Sequence, residues 1–212
     1  IARRRARAHA LVADPWTARR ERLRDACLDD ALSAGMRHRL DRAITAFQHA
    51  AGQSALAAFA RHRVPDLPVQ AVLRDIWADH VLFDPFDCDR PAGFIDFHAA
   101  GLDHPAADIA RLLGSWASPG PGSGGWLDRW EPALAAYEAV RPLSAAERAV
   151  LPALHGSTVV LGLDNWFRWV LEERRSFPIP AALDRVDCLL HLLPEALTEL
   201  AQAGPQRGTG PV

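Results

Sequence analysis

Two aspartates near the middle of the chain have the residue type and surroundings for chemistry on a phosphoryl group. Asp75 begins a polar loop after one apolar segment, and Asp96 follows another inside Ile-Asp-Phe. One such carboxylate can receive a substrate hydroxyl proton while the other holds the metal on nucleotide phosphates. We expect Asp96 to lie in a buried strand, where an unpaired carboxylate is costly and a metal or an arginine must compensate it. The alternative for Asp75 is a cap on the following turn.

Short strands flanked by helices must position these aspartates. The pattern predicts strands at 69–73, 80–83 and 93–97, with turn residues at 84–91 between the last two. Helical spacing of apolar residues predicts helices at 15–33, 36–63, 106–114, 126–141, 144–175 and 180–202. The glycine-rich segment 118–125 is interpreted as a linker, because it lacks Gly-Lys-Ser/Thr and follows a helix. The tail 203–212 is expected to be disordered. The fold class is therefore α+β, mainly helical with a small β-hairpin element.

Composition limits the classes of function. The 212 residues are 49% hydrophobic and 24% charged, which is typical of one globular domain. A net charge of −2 creates no global field for nucleic acid or a membrane surface. No apolar run reaches the roughly 20 residues needed to span a bilayer, and no signal segment opens the chain. A cytoplasmic protein is expected. Three scattered cysteines without a Cys-x-x-Cys pair argue against a disulfide framework or structural zinc site.

The central segment resembles the core of the aminoglycoside phosphotransferase family, also called the phosphotransferase enzyme family. That core reads His-Gly-Asp, four residues, Asn, and then an apolar strand with Ile-Asp-Phe. Asp75 matches the catalytic aspartate, Asp96 matches the metal-binding aspartate, and His80 falls where Asn is usual. Leu73 and Arg74 depart from the motif by replacing the usual His and Gly.

The match continues through 101–114, which is similar to the family stretch "hydrophobic-x-His-Pro-x-x-Asp-hydrophobic-Ala-Arg". Asp108 and Arg111 lie three residues apart on the predicted helix, so their simplest role is a structural ion pair. The resemblance gives Asp108 a supporting role as well, since this aspartate anchors the helix under the active-site loop in the family.

The resemblance implies the large C-terminal lobe of a protein-kinase-like fold over residues 1–202, with the catalytic loop and metal-site strands at 69–97. It implies transfer of a phosphoryl group from ATP or GTP, with Mg²⁺ or Mn²⁺, to a hydroxyl of a small molecule. Asp75 would orient or deprotonate that hydroxyl, and Asp96 would bind the metal.

The first residues, 1–11, resemble the helix that follows the nucleotide-binding lobe in that family. The small lobe is therefore expected upstream of residue 1. The chain contains no lysine and no Gly-x-Gly-x-x-Gly loop before Asp75 that could hold the phosphates. We expect these 212 residues alone to be inactive, with uncovered apolar surface at 1–12 and 69–97 that favours self-association.

His80 leaves two interpretations open. Magnesium prefers oxygen ligands, whereas imidazole suits softer ions. Either His80 binds a metal and shifts the preference toward an ion such as Mn²⁺, or it orients Asp75 or Asp96 through a hydrogen bond.

Two other functions compete with the phosphotransferase. A metal-dependent hydrolase could use Asp96, His98, His80 and His104, although these residues lack a compact spacing such as His-Glu-x-x-His. A non-catalytic kinase-like binding module would explain the altered Leu-Arg-Asp and His80.

A C-terminal cluster of acidic and aromatic residues is the candidate substrate pocket. In related phosphotransferases such residues line the acceptor site, so this cluster is expected to hold a cationic or sugar-like substrate through carboxylates and cation–π contacts. A plain amphipathic core helix is the alternative. The cluster consists of Asp164, Trp166, Trp169 and Glu172.

Overall fold

The computed structural model describes residues 1–24, 30–61, 67–116 and 126–202. The predicted linker 118–125 and tail 203–212 lie outside the described residues. Contacts divide the chain into two compact units, one formed by Ile1 with residues 64–154 and the other by residues 2–63 with 155–212. Within the described residues, no helix is both long enough and apolar enough to cross a membrane.

Helices account for most of the described chain, which confirms the α+β class with a small β element. The helices are α1 (Ala2–Ala13), α2 (Trp16–Arg22), α3 (Ala31–His49), α4 (Gly52–Arg61), α5 (Pro105–Trp116), α6 (Trp126–Glu138), α7 (Ala145–Phe167) and α8 (Ile179–Gln202). The strands are β1 (Gln70–Val72), β2 (Val81–Asp84), β3 (Asp87–Phe94) and β4 (Gly101–Asp103).

The four strands of the first unit form two nested antiparallel pairs. β1 pairs with β4, and β2 pairs with β3. The β2–β3 hairpin is therefore inserted between the two strands of the outer pair. The connection 73–80 joins β1 to β2, and the connection 95–100 joins β3 to β4. The two connections lie opposite each other between the outer and inner pairs. The amide of Ile95 donates to the carbonyl of His80 at 3.0 Å, which extends the inner pairing into these connections.

A single apolar cluster holds α5, α6 and the start of α7 together in the first unit. Its fully buried members include Ala110 of α5, Leu134 of α6 and Leu151 of α7. Burying a leucine side chain stabilises a fold by about 1.5–3 kcal/mol. Because α5 also packs against β1 and the Ala78–His80 turn, this core fixes the helix that supports the 73–80 connection.

The second unit consists of α1–α4, the remainder of α7 and α8. In it α3 packs on α8 and α1 packs on α4. Met36 and Leu40 of α3 are buried, as are Val186 and Leu193 of α8.

The boundaries of several helices differ from the predictions. The predicted helix 36–63 is divided, because Ala51 has a φ of 48° and Gly52 meets the Phe47 ring so closely that an added Cβ would lie 2.6 Å from it. α3 starts before the predicted residue 36, since the side chain of Asp30 accepts a hydrogen bond from the Ser33 amide at 2.9 Å and caps the helix.

Three further boundaries also moved. The predicted helix 15–33 is represented by α2 and the first turn of α3, and residues 25–29 between them lie outside the described part. α5 continues through Gly114 to Trp116, so Gly114 does not end it. The α-helical part of the predicted 144–175 segment ends at Phe167 and continues as a π-helical turn, Arg168–Glu172.

Candidate active site

The connection 73–80, which follows β1 and carries Asp75, is anchored on one face of α5. Asp108 accepts hydrogen bonds from the backbone amides of Leu73 at 2.7 Å and Arg74 at 2.9 Å. Arg74 has a left-handed backbone with a φ of 63°, which is unfavourable for a residue other than glycine. The hydrogen bonds from the two backbone amides to the Asp108 carboxylate hold the chain in this turn. Burial raises the pKa of Asp108 above its ordinary value, although these hydrogen bonds and the charge of Arg111 act in the opposite direction.

Two further positions of α5 contact the same connection. Ser115 accepts a hydrogen bond from the Ala78 amide at 2.8 Å, and Arg111 lies between Asp108 and Ser115 in the helical repeat. Residues at i, i+3 and i+7 share one face of a helix. A single polar stripe on α5 therefore fixes the connection near both its ends.

Asp75 is held by two donors on one of its oxygens. Arg111 Nη1 donates to Oδ1 of Asp75 at 2.6 Å, and Trp77 Nε1 donates to the same oxygen at 2.9 Å. The structure thus gives the supporting residues different partners from the expected Asp108–Arg111 ion pair. The sequence spacing could not reveal this, because both partners of α5 come from a connection that packs across the helix.

The expectation that Asp96 lies within a buried strand is wrong. β3 ends at Phe94, and Asp96 has a left-handed backbone with φ 64° and ψ 62°. Its side chain is 43% exposed. Ile95 and Phe97 are also exposed, at 46% and 55%. The chain must turn here to reach β4. Burial therefore does not support a metal-binding role for Asp96. The structural support for that role is the position of Asp96 beside His80.

A histidine on each side contacts the Asp96 carboxylate. His98 Nδ1 hydrogen-bonds to Oδ1, and this bond, together with the charges of His98 and His80, lowers the pKa of Asp96. The same bond raises the pKa of His98. His98 belongs to the short turn Phe97–Ala99 rather than to a strand, so it does not share a strand face with Asp96.

His80 links the two connections. Its Nδ1 lies 2.9 Å from the carbonyl oxygen of Asp75. Because a carbonyl only accepts, Nδ1 must carry the proton. Its other nitrogen, Nε2, lies 3.8 Å from Oδ2 of Asp96. A histidine whose second nitrogen is fixed by a backbone carbonyl has the arrangement of a typical metal ligand, and the same hydrogen bond holds the backbone of Asp75.

The donor set at this position fits Mg²⁺ or Mn²⁺ only with help from a substrate. Magnesium is commonly held by one or two carboxylates together with phosphates and water, and Asp96 with His80 supplies one carboxylate and one imidazole. Among the described residues, no group of three or more His, Cys, Asp or Glu side chains could hold a metal. His104 hydrogen-bonds instead to the carbonyl of Pro68 at 3.0 Å. The hydrolase alternative therefore lacks its ligand cluster in the described chain.

The two carboxylates of the predicted substrate pocket belong to the second unit and bind an internal arginine. Arg19, whose side chain is only 7% exposed, donates to Asp164 at 2.8 Å and to Glu172 at 2.7 Å. Trp16 Nε1 also donates to Asp164 at 3.1 Å. Because a buried arginine must be paired, these two ion pairs compensate the charge of Arg19.

The aromatic residues of that predicted pocket pack on one another. Trp166 meets Trp169 edge-to-face at 5.6 Å and Phe177 at 4.9 Å. Arg175 lies over the Trp169 ring at 5.4 Å, so the cation on this ring comes from the chain itself. The structure thus gives both the carboxylates and the rings of the predicted pocket partners from within the chain, which the sequence pattern could not show.

Trp77 and Ser115 also contact this candidate site, although the sequence pattern did not predict them there. A signal for Ser115 existed, since it lies seven residues after Asp108 on the same helical face. No comparable signal exists for Trp77.

Homoserine kinases are among the similar curated proteins. The chain is 33% identical to that of Gluconobacter oxydans over 60% of this chain and 38% of the relative. It is 39% identical to that of Methylobacterium radiotolerans over 56% of this chain and 36% of the relative. With that of Parvibaculum lavamentivorans it is 34% identical over 70% of this chain and 41% of the relative.

The chain thus spans less than half the length of these relatives. The family model described as "Phosphotransferase enzyme family" matches residues 2–143, which is more than half of the chain and includes both aspartates. This chain belongs to the phosphotransferase enzyme family.

Proposed function

We propose that the protein is a small-molecule kinase, which transfers the γ-phosphoryl group of ATP or GTP to a hydroxyl. The observation that carries this proposal is the position of Asp75 and Asp96 on opposed connections, joined through the two nitrogens of His80. Phosphoryl transfer needs little covalent chemistry from the protein, and catalysis comes from positioning and electrostatic stabilisation. Two carboxylates on separate, opposed connections suit that requirement.

Asp75 has the role of orienting the acceptor hydroxyl and taking its proton. Oδ1 is occupied by Arg111 and Trp77, which leaves Oδ2 for the acceptor. Asp96, together with His80, has the role of holding Mg²⁺ or Mn²⁺. The metal would supply charge neutralisation on the nucleotide phosphates.

Homoserine is the first acceptor to test. The similar proteins compared above are named homoserine kinase, which supports a small amino-acid hydroxyl over an aminoglycoside. The internal ion pairs of Asp164 and Glu172 with Arg19 also disfavour these two carboxylates as a site for a polycationic aminoglycoside.

Binding the phosphates of ATP or GTP requires residues that this chain does not contain. Kinases of related fold pair the phosphates with a strand lysine, and the chain has none. We therefore propose a nucleotide-binding lobe outside these 212 residues, and we expect residues 1–212 alone to show no transfer from ATP. Turnover by residues 1–212 above that of an Asp75→Ala, Asp96→Ala double variant would contradict this.

The test is an acceptor assay with the full-length gene product. Homoserine and an aminoglycoside are each incubated with ATP or GTP and Mg²⁺, and the phosphorylated product is followed by ³¹P NMR. We expect phosphohomoserine from the wild type and a rate about 10²–10⁴-fold lower from Asp75→Asn. Asp89→Asn, on the exposed hairpin, is the matched control and should keep wild-type turnover. Equal rates for wild type and Asp75→Asn would overturn the assignment.

A non-catalytic binding module is the second candidate. It is favoured by the ion pair between Arg111 and Asp75, which engages the proposed base, and by the replacement of the usual His and Gly by Leu73 and Arg74. Nucleotide binding by the full-length protein without transfer to any acceptor would support this candidate over the kinase.

A further inference from the structure

Arg111 is a charged side chain that contacts Asp75 but hydrogen-bonds neither to its Oδ2 nor to the proposed metal ligands. α5 places its Nη1 2.6 Å from Oδ1 of Asp75. The guanidinium also lies over the Trp77 ring, with its central carbon 4.8 Å from the ring centroid. Trp77 in turn donates to the same Oδ1 at 2.9 Å. The three side chains form a closed set of contacts.

This closed set fixes the rotation of the Asp75 carboxylate. A carboxylate held through one donor can turn about its Cβ–Cγ bond, whereas two donors on one oxygen define the plane of the group. The cation–π contact with the Trp77 indole holds the guanidinium beside this carboxylate. Oδ2 is consequently the oxygen left outside these two hydrogen bonds.

The ion pair between Arg111 and Asp75 does not have the geometry that would stabilise the fold most. Arg111 bonds to Asp75 through one nitrogen, although a guanidinium can bind a carboxylate through two parallel hydrogen bonds. In the described chain its Nε is buried without a hydrogen-bond partner. Burial also lowers the pKa of Arg111 against the opposing charges of Asp75 and Asp108. An unsatisfied buried donor destabilises a fold.

We propose that Arg111 is a positioning residue for phosphoryl transfer, which turns the Asp75 carboxylate so that Oδ2 receives the acceptor hydroxyl. The inference rests on the proposed function and extends it. In the step itself, the acceptor oxygen bonds to the γ-phosphorus and its proton passes to Oδ2. The bond from that phosphorus to the bridging oxygen breaks, and its electron pair leaves with the nucleoside diphosphate.

The test uses the full-length protein with homoserine and ATP. For Arg111→Met we expect kcat to fall about 10²-fold, the cost of a small misplacement of a reacting group, with little change in either KM. Arg111→Lys keeps a charge but loses the planar guanidinium group, so it should retain only part of the activity. Adding guanidine hydrochloride at millimolar concentration to Arg111→Ala should restore turnover, whereas sodium chloride at equal ionic strength should not.

The matched control is Arg141→Met. Arg141 is also partly buried and forms a 2.8 Å ion pair, with Glu147, in the same unit. This variant should keep wild-type kcat, because the contact that it removes is with Glu147 and not with Asp75. Guanidinium rescue separates positioning from a general loss of fold, since a variant that is unfolded will not be rescued by the small cation.

The outcomes separate the inference from the proposed function. An active wild type, an impaired Asp75→Asn and an Arg111→Met variant with wild-type kcat would overturn the inference alone. Failure of guanidinium to rescue Arg111→Ala, while that variant stays folded by circular dichroism, would also overturn it. A wild type that transfers no phosphoryl group to homoserine would overturn the proposed function, and this inference with it.

Discussion

Nε2 of His80 lies 3.8 Å from Oδ2 of Asp96, while Nδ1 of the same ring is fixed on the backbone of Asp75. One imidazole therefore bridges the two connections that carry the proposed catalytic pair. The distance is too long for a direct hydrogen bond. It leaves room for a cation that both groups would bind.

The first prediction concerns metal preference at His80. If Nε2 is a ligand, the full-length wild type should use Mn²⁺ relatively better than His80→Asn does, because imidazole favours softer ions than an amide oxygen. The measurement is the ratio of turnover with Mn²⁺ to turnover with Mg²⁺ for both proteins. Identical ratios would exclude ligation and leave only the orienting role of Nδ1.

The second prediction concerns the anchor of the 73–80 connection. Asp108→Ala removes the acceptor of the Leu73 and Arg74 amides, so the free energy of unfolding should fall by about 1–3 kcal/mol. Urea denaturation measures this. Asp89→Ala on the exposed hairpin is the control and should change stability little. An Asp108→Ala variant as stable as the wild type would show that water replaces the carboxylate.

The third prediction concerns acid stability of the second unit. Asp187 of α8 pairs with Arg39 and with Arg42 of α3, the latter at 2.7 Å. Burial acts to raise the pKa of Asp187, but the hydrogen bonds and charges of Arg39 and Arg42 outweigh it and hold that pKa below its ordinary value of 3.8.

A carboxyl whose pKa is lowered by folding stabilises the protein at any pH above the ordinary pKa of the group. This stabilisation is lost as the pH falls through the folded-state pKa. Asp187→Asn should therefore cost about 0.5–1 kcal/mol at neutral pH, a small effect because the pair is partly solvated, and nothing in strong acid. Denaturation of both proteins from pH 7 to pH 2 measures it. A difference that persists unchanged at pH 2 would contradict the pairing.

The fourth prediction concerns self-association of residues 1–212. Apolar side chains of the β2–β3 hairpin and the following connection are exposed, and Phe86 at the hairpin turn is 98% exposed. By contrast Ile1 and Leu11 are buried, so the uncovered surface expected at 1–12 is not observed. Light scattering should detect association that Phe86→Ser weakens. A monomer at high concentration in both proteins would contradict this.

The sequence predicted the loop position of Asp75 because a polar loop after an apolar strand is a local pattern. It could not predict the exposure of Asp96, since the end of β3 is set by the need to return to β4, a strand with too few residues to give a pattern. Nor could it pair Arg111 with Asp75 or Arg19 with Asp164, because those partners are distant in the chain. Local periodicity located the elements, and long-range contacts decided which charges meet.

The nested order of the strand pairs has a consequence for how the site assembles. The ends of the β2–β3 hairpin are close along the chain, so the hairpin closes with little loss of chain entropy, and its closure shortens the loop that β1 and β4 must then close. The outer pair should therefore form after the inner one. Both aspartates reach their positions in that last step, so a folding intermediate with only the hairpin formed would lack the candidate site.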